Sequence, residues 1–241
     1  MPKEKTKELD LEAPIYAWCG FDTETSGLFD FSKPADAPGQ PRLAALSLVR
    51  CTPGFAITDQ KLFYIKPVGW TMEPGAQAVN GLSQEFLLEH GVPVAEALDA
   101  YENVIKEGRA FVAFNAQFDT KVMRAEFRRA GRPDFFESTP NLCVMRKCIG
   151  VCKIPKANGR GYKFPKLAEA MAHFKLPQPE AHTAAGDALS AVMIARMLSQ
   201  IGIDLSPEVH YAKNRPADER QAGAPSEGAE SVRDEADGGA G

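Results

Sequence analysis

Four acidic side chains and one histidine fall in a fixed order along the 241 residues: Asp22 and Glu24 in FDTETSGL, Asp119 in FNAQFD, and His182 with Asp187 in AHTAAGD. Asp22 and Glu24 close an apolar run, and in an extended strand residues i and i+2 share a face, so their carboxylates converge. Like charges at that distance repel, and one carboxylate is driven to keep its proton unless a divalent cation neutralises the pair. An all-oxygen donor set suits Mg²⁺ or Mn²⁺ rather than zinc. An imidazole nearby is the side-chain type best placed to take a proton near neutral pH.

Read singly, each cluster admits a plainer role. Asp22, Thr23 and Ser26 could make local hydrogen bonds in a turn. Asp119 follows a buried strand and could cap the next helix, with Asn115 as a turn residue. Asp187 near a helix start is favoured by the helix dipole alone. His182 would lie about 140° from Asp187 on a continuous helix. It therefore belongs in the entry loop, free to turn toward the carboxylates, although a lone loop histidine is ordinarily a surface residue.

The elements that must position these groups follow from apolar patterning. Ile15 to Phe21, Leu43 to Val49 and Leu62 to Ile65 are bulky apolar runs separated by Gly and Pro clusters, as successive strands are. GLSQEFLLEHG, opened by Ser83, predicts a short helix, and Val94, Leu98, Tyr101 and Ile105 predict a longer one ending at Gly108. Ala110 to Phe114 reads as a buried strand. Helical spacing returns at Thr120 to Ala130, stopped by Gly131 and Pro133, and again at Lys166 to Phe174. The last helix is expected over Ala184 to Ile201, with Leu189, Val192, Met193 and Met197 on its inner face. This order describes an α/β domain with a mixed sheet.

Composition bounds the rest. A chain of 241 residues, 44% hydrophobic, supports one sizeable domain. No apolar stretch reaches the ~18 residues that span a membrane, and the charged start MPKEKTKELDLEAP does not resemble a secretory signal, so a cytoplasmic location is expected. Five cysteines, Cys19, Cys51, Cys143, Cys148 and Cys152, lack paired spacing and read as reduced thiols. From Asp204 onward nine acids face four bases, whereas residues 1 to 203 hold 24 bases and 23 acids. Residues 1–12 are expected to be flexible, 13–203 to form the domain, and 204–241 to be a disordered acidic tail. Residues 138 to 168 carry Arg146, Lys147, Lys153, Lys156, Arg160, Lys163 and Lys166 with no acid, and Tyr162 and Phe164 among them. Such a run, just ahead of His182, suits a polyanion; alone it would more often be a solvated loop.

Taken jointly, DTET followed by SGL, NAQFD, and HTAAGD with histidine five before the last aspartate resemble the DEDDh 3′–5′ exonuclease family. This is the DnaQ-like group that includes the proofreading epsilon subunit of bacterial replicative DNA polymerase and RNase T. The resemblance covers about residues 15 to 203, with AQAVNGLSQEFL as a weaker further match. It implies an RNase H-like mixed five-stranded sheet flanked by helices, and hydrolysis of phosphodiester bonds from the 3′ end to release nucleoside monophosphates. Its implied cofactors are two Mg²⁺ or Mn²⁺ ions: Asp22, Glu24 and Asp187 on the first, Asp22 and Asp119 on the second. His182 would be the general base. Thr25, Ser26, Leu28, Asn115 and Phe118 would meet the terminal nucleotides, and Lys153, Lys156, Arg160 and Lys163 the substrate backbone. The expected partner is a single-stranded or frayed 3′ end, DNA favoured over RNA, with a DNA polymerase or a second copy of the chain as a protein partner. An exoribonuclease of the same family and a non-catalytic nucleic-acid-binding polymerase accessory subunit are the competing readings. Two features depart from the family pattern: the Pro-rich FDFSKPADAPGQP and a second strand, RLAALSLV, without the family's common Gln.

Overall fold

Five strands form one sheet: β1 (Trp18–Thr25), β2 (Leu43–Cys51), β3 (Ile57–Tyr64), β4 (Ala110–Ala113) and β5 (Asn141–Cys143). Their spatial order is β3-β2-β1-β4-β5, with β1–β2 and β2–β3 antiparallel and β1–β4 and β4–β5 parallel. The computed structural model describes residues 16 to 208, apart from 31, 134, 178, 180 and 181. The expected flexible start and all of the tail beyond 208 therefore lie outside the described residues.

β1 and β2 are buried almost throughout because both faces are covered. On one face Phe21, Leu46, Leu48 and Phe111 pack against α3 (Val94–Lys106) and α4 (Ala116–Arg129) through Leu98, Tyr101, Val122 and Met123. On the other, Trp18, Val49, Cys51 and Val112 pack against α5 (Val144–Cys152), α6 (Leu167–His173) and α7 (Ala184–Gln200). Two short helices, α1 (Pro74–Asn80) and α2 (Gln84–His90), sit beside the β2 start, where Ala44, Ala45, Leu82, Leu87 and Ala184 form a third cluster. The mixed five-stranded sheet with helices on both sides is as expected.

Several local expectations hold. Ser83 caps α2, its hydroxyl accepting from the Phe86 N–H. All five cysteines are free, and four of them are buried. Other details differ. α4 starts one turn earlier than expected, at Ala116, so Asp119 is inside the helix rather than at its cap. The basic run opens with a helix, α5, whose apolar face packs on the sheet. The inner face of α7 is lined by Ala188, Ala191, Val192, Ala195 and Leu198, with Leu189, Met193 and Met197 only partly buried. Small residues are needed there because α7 lies close on β1: a Cβ on Gly20 would fall 2.3 Å from Val192 Cγ2.

Candidate active site

β1 runs in register with β4 only as far as Gly20 opposite Val112, and β4 ends at Ala113. The second half of β1, Asp22 to Thr25, therefore projects past its parallel neighbour. A crevice opens there, at the carboxyl ends of the parallel strands, where α/β sheets commonly bind ligands. The cleft has a volume of about 180 Å³ and is lined by Asp22, Thr23, Glu24, Phe114, Asn115, Phe118, Asp119, Leu167, His182 and Asp187. A larger groove of about 530 Å³ between β3 and α3 is lined by Arg50, Asp59, Lys61, Asn103, Lys106 and Glu107 and holds none of the predicted site residues.

Three elements bring carboxylates to the cleft. Asp22 and Glu24 lie on the α7 face of β1, as period two requires. Asp187 sits in the first turn of α7, behind the Thr183 cap, whose hydroxyl accepts from the Gly186 N–H. One carboxylate oxygen from each of Asp22, Glu24 and Asp187 lies within 4.8 Å of the others. Asp119 arrives from α4, on the opposite face of the sheet. Its Oδ1 accepts from the Thr23 N–H at 3.1 Å and from the Thr23 hydroxyl at 2.8 Å, although Asp119 is 3% exposed.

The electrostatics are those of crowded, partly dehydrated acids. Burial pushes the Glu24 carboxyl up to about 8, with Asp187 and Asp119 adding to the rise and a hydrogen bond from Asn80 opposing it. Burial raises Asp119 to about 7 against the two Thr23 hydrogen bonds. Asp22 lies well above the usual range through burial, then through Asp119, Glu24 and Asp187. Asp187 is raised by burial and eased by the charge and backbone N–H of His182. Four carboxyls that resist ionising together are a site short of positive charge, and their oxygens are the donors a hard divalent cation takes. The donor set therefore fits such an ion.

His182 is exposed at the rim of the cleft, in the loop before α7, with φ 60°. Leu28 projects into solvent, 88% exposed, from the turn after β1. Phe118 packs edge-on to Phe29 at 5.7 Å, and Lys121 Nζ lies 4.9 Å above the Phe29 ring. Thr25 and Ser26 are buried. The Thr25 hydroxyl donates to the Gly27 carbonyl, the Ser26 N–H to the Arg42 carbonyl, and the Ser26 hydroxyl accepts from the Arg42 N–H.

The basic residues are not in the cleft. After α5, Lys153 takes a left-handed turn with φ 51°, and a small hairpin follows in which Pro155 pairs with Tyr162. Lys153, Lys156 and Arg160 are accessible on it, and Tyr162 and Phe164 are 45% and 53% exposed. Lys163 is different. Its Nζ pairs with Glu169 at 2.7 Å, and Glu169 also accepts from the Lys166 N–H at the start of α6. The hairpin leads into Leu167, which does line the cleft.

Sequence reasoning missed three supporting side chains. Thr23 holds Asp119, Asn80 holds the end of β1, and Glu126, 2% exposed, accepts from Arg42, Arg129 and the Leu43 N–H beneath the Ser26 turn. Their partners lie 55 to 96 residues away, apart from Arg129, and no local spacing signals them.

A family model described as an exonuclease of the RNase T type matches residues 19–195. No curated protein matches by sequence. Among solved structures, a product-bound exonuclease I is similar at TM-score 0.63 and 16% identity, covering 78% of this chain and 44% of that one. E. coli exonuclease I in complex with a dA16 oligonucleotide is similar at TM-score 0.64 and 17% identity, over 77% of this chain and 41% of its own. The zinc-bound E. coli exonuclease I complex with single-stranded DNA gives TM-score 0.64 and 17% identity, over 78% and 41%. The chain thus spans well under half the length of these structures, and at such identities the likeness is one of fold. No helix among the described residues is long and apolar enough to cross a membrane.

Proposed function

The chain belongs to the exonuclease family, its match spanning residues 19–195, and from that premise we propose that it is a divalent-metal-dependent 3′–5′ exonuclease acting on single-stranded or frayed 3′ ends, DNA in preference to RNA. The observation that carries this reading is the convergence of Asp22, Glu24 and Asp187, with oxygens within 4.8 Å of one another, at a cleft with His182 on its rim. The three would hold one Mg²⁺ or Mn²⁺, and Asp22 with Asp119 a second. When bound, such ions acidify a coordinated water and neutralise charge on the scissile phosphate.

The chain's own groups supply the rest. His182 takes the proton of the attacking water on an imidazole nitrogen and, being exposed, passes it to solvent. Leu28 wedges against the terminal base, and Phe118 with Asn115 lines the sugar's side of the cleft. The turn at Thr25 and Ser26, fastened by Arg42, gives the terminal nucleotide a rigid backbone to rest on. The DNA preference has its support in the oligonucleotide-bound relatives, which were solved with dA16 and with single-stranded DNA.

The test uses DNA and RNA oligomers, single- and double-stranded, labelled at either end, with Mg²⁺ or Mn²⁺ or neither. Wild type should shorten single-stranded DNA from its 3′ end and release mononucleotides only with metal. Asp22→Ala and Asp187→Ala should be folded and inactive. Digestion from the 5′ end, or near wild-type turnover in either variant, would overturn the reading, and faster digestion of RNA would move the chain to the exoribonucleases.

A further inference from the structure

The ladder between β1 and β2 slips at Glu24 and Thr25, where the register passes from Glu24 opposite Ala45 to Thr25 opposite Leu43. Irregularities of this kind re-aim side chains beside active sites, and an aim that depends on one must be held by something outside the ladder. Asn80 supplies that hold. It is the last residue of α1, the one residue of that helix that is buried, and 7% exposed. Its Nδ2 donates to the Thr25 carbonyl at 3.2 Å, and its Oδ1 accepts from the Leu82 N–H at 3.0 Å. The same carboxamide lies beside the Glu24 carboxylate and favours its charged form.

The local chain is shaped to deliver it. Pro74 opens α1, and Gly81, at φ 72°, ends it immediately after Asn80 in the left-handed conformation that glycine favours. The neighbouring Val79 is 62% exposed, so α1 puts an apolar residue in solvent and a polar one inside. Burying a carboxamide is costly unless its hydrogen bonds are met, and here they are met by the end of β1 and the start of the next loop.

We infer that Asn80 is a positioning residue for metal binding: its carboxamide, bonded to the Thr25 carbonyl where the ladder slips, fixes the end of β1 and so the angle at which Glu24 faces Asp22 and Asp187. The inference rests on the reading of Glu24 as a metal ligand. A side chain that only stabilised the end of α1 would support folding and leave cation affinity untouched. One that orients a ligand changes affinity, by about 10- to 100-fold for outer partners of metal ligands.

The experiment is a calorimetric titration of Mn²⁺ into the metal-free full chain, as wild type, Asn80→Ala, Asn80→Ser and Asp187→Ala, with the melting temperature of each recorded in EDTA. Serine is the smaller polar replacement, too short to reach both Thr25 and Glu24, and serves if alanine does not fold. The expected result is that wild type binds Mn²⁺, Asp187→Ala loses that binding, and the Asn80 variants bind at least about tenfold more weakly. Wild-type affinity in a folded Asn80 variant overturns the positioning role while leaving Glu24 as a ligand. Absence of Mn²⁺ binding by wild type overturns the metal-site reading itself, and this inference with it.

Discussion

The Asp119 carboxylate accepts both the backbone N–H and the hydroxyl of Thr23, at 3.1 and 2.8 Å, across 96 residues of sequence. The bond pair ties α4 on one face of the sheet to the strand that carries Asp22 and Glu24 on the other. Thr23 thereby aims Asp119 over the end of β1 and keeps its carboxyl from rising further.

Thr23→Val keeps the shape of the side chain and removes one of the two donors. Asp119, already raised to about 7, should rise further and become a poorer cation ligand. The Mg²⁺ concentration for half-maximal activity should increase about tenfold. Stability should fall by about 1–2 kcal/mol, read by urea unfolding, because a buried acceptor loses a partner. An unchanged Mg²⁺ requirement would show that Asp119 does not bear on the metal.

The same shifts set how stability depends on pH. Glu24 and Asp119 move from 4.5 and 3.8 to about 8 and about 7 in the fold, and Asp22 and Asp187 move the same way. Between those limits the folded protein holds more protons than the unfolded chain, so metal-free stability must decline as pH rises through the window. In EDTA the melting temperature should fall from pH 5 to pH 8. Saturating Mg²⁺ should flatten or reverse the decline, since cation binding requires the ionised carboxylates. A metal-free protein that melts at one temperature from pH 5 to 8 would contradict the shifts.

His182→Asn is the informative replacement for the proton acceptor. The residue holds φ 60°, and asparagine tolerates that conformation where alanine is strained. Turnover should drop by about 10² or more with oligonucleotide affinity nearly unchanged, because a general base acts on the transition state. A parallel loss of affinity in a direct binding assay would recast His182 as a substrate contact.

On the basic hairpin, Lys153, Lys156 and Arg160 are the residues to neutralise, because Lys163 is committed to Glu169. Changing the three to Gln should weaken binding of a single-stranded oligonucleotide and reduce its salt slope by ~0.7 for each phosphate no longer neutralised, about 2 in all. Turnover at saturating substrate should change far less. Lys163→Gln alone should leave the slope in place and loosen the start of α6. An unaltered slope in the triple variant would move the track elsewhere on the surface.

Glu126→Ala tests the support beneath the Ser26 turn. The carboxylate is 2% exposed and accepts from Arg42, Arg129 and the Leu43 N–H, so its removal leaves the Arg42 guanidinium and a buried N–H without it, while Arg129 keeps the Pro41 and Ala35 carbonyls. The cost should be about 3–5 kcal/mol by chemical denaturation. A loss below about 1 kcal/mol would mean that water replaces the carboxylate there.

What the sequence determined by itself is what short-range geometry controls. Period two puts Asp22 and Glu24 on one face of a strand, helical spacing places α3 and α7, Ser83 caps α2, and the order of motifs carries the family. Tertiary structure decided the rest, because it depends on which elements become neighbours. β5 is three residues long and leaves no periodicity to read. The crevice exists only because β1 outruns β4, which no property of either strand alone reveals. Asp119 has the sequence context of a helix cap and becomes a site residue because α4 starts a turn early and meets Thr23. Asn80, Arg42 and Glu126 act across 55 to 84 residues, and such contacts come from packing two helices and a loop onto one strand end. The donors are written along the chain; their convergence within 4.8 Å is a property of the folded sheet.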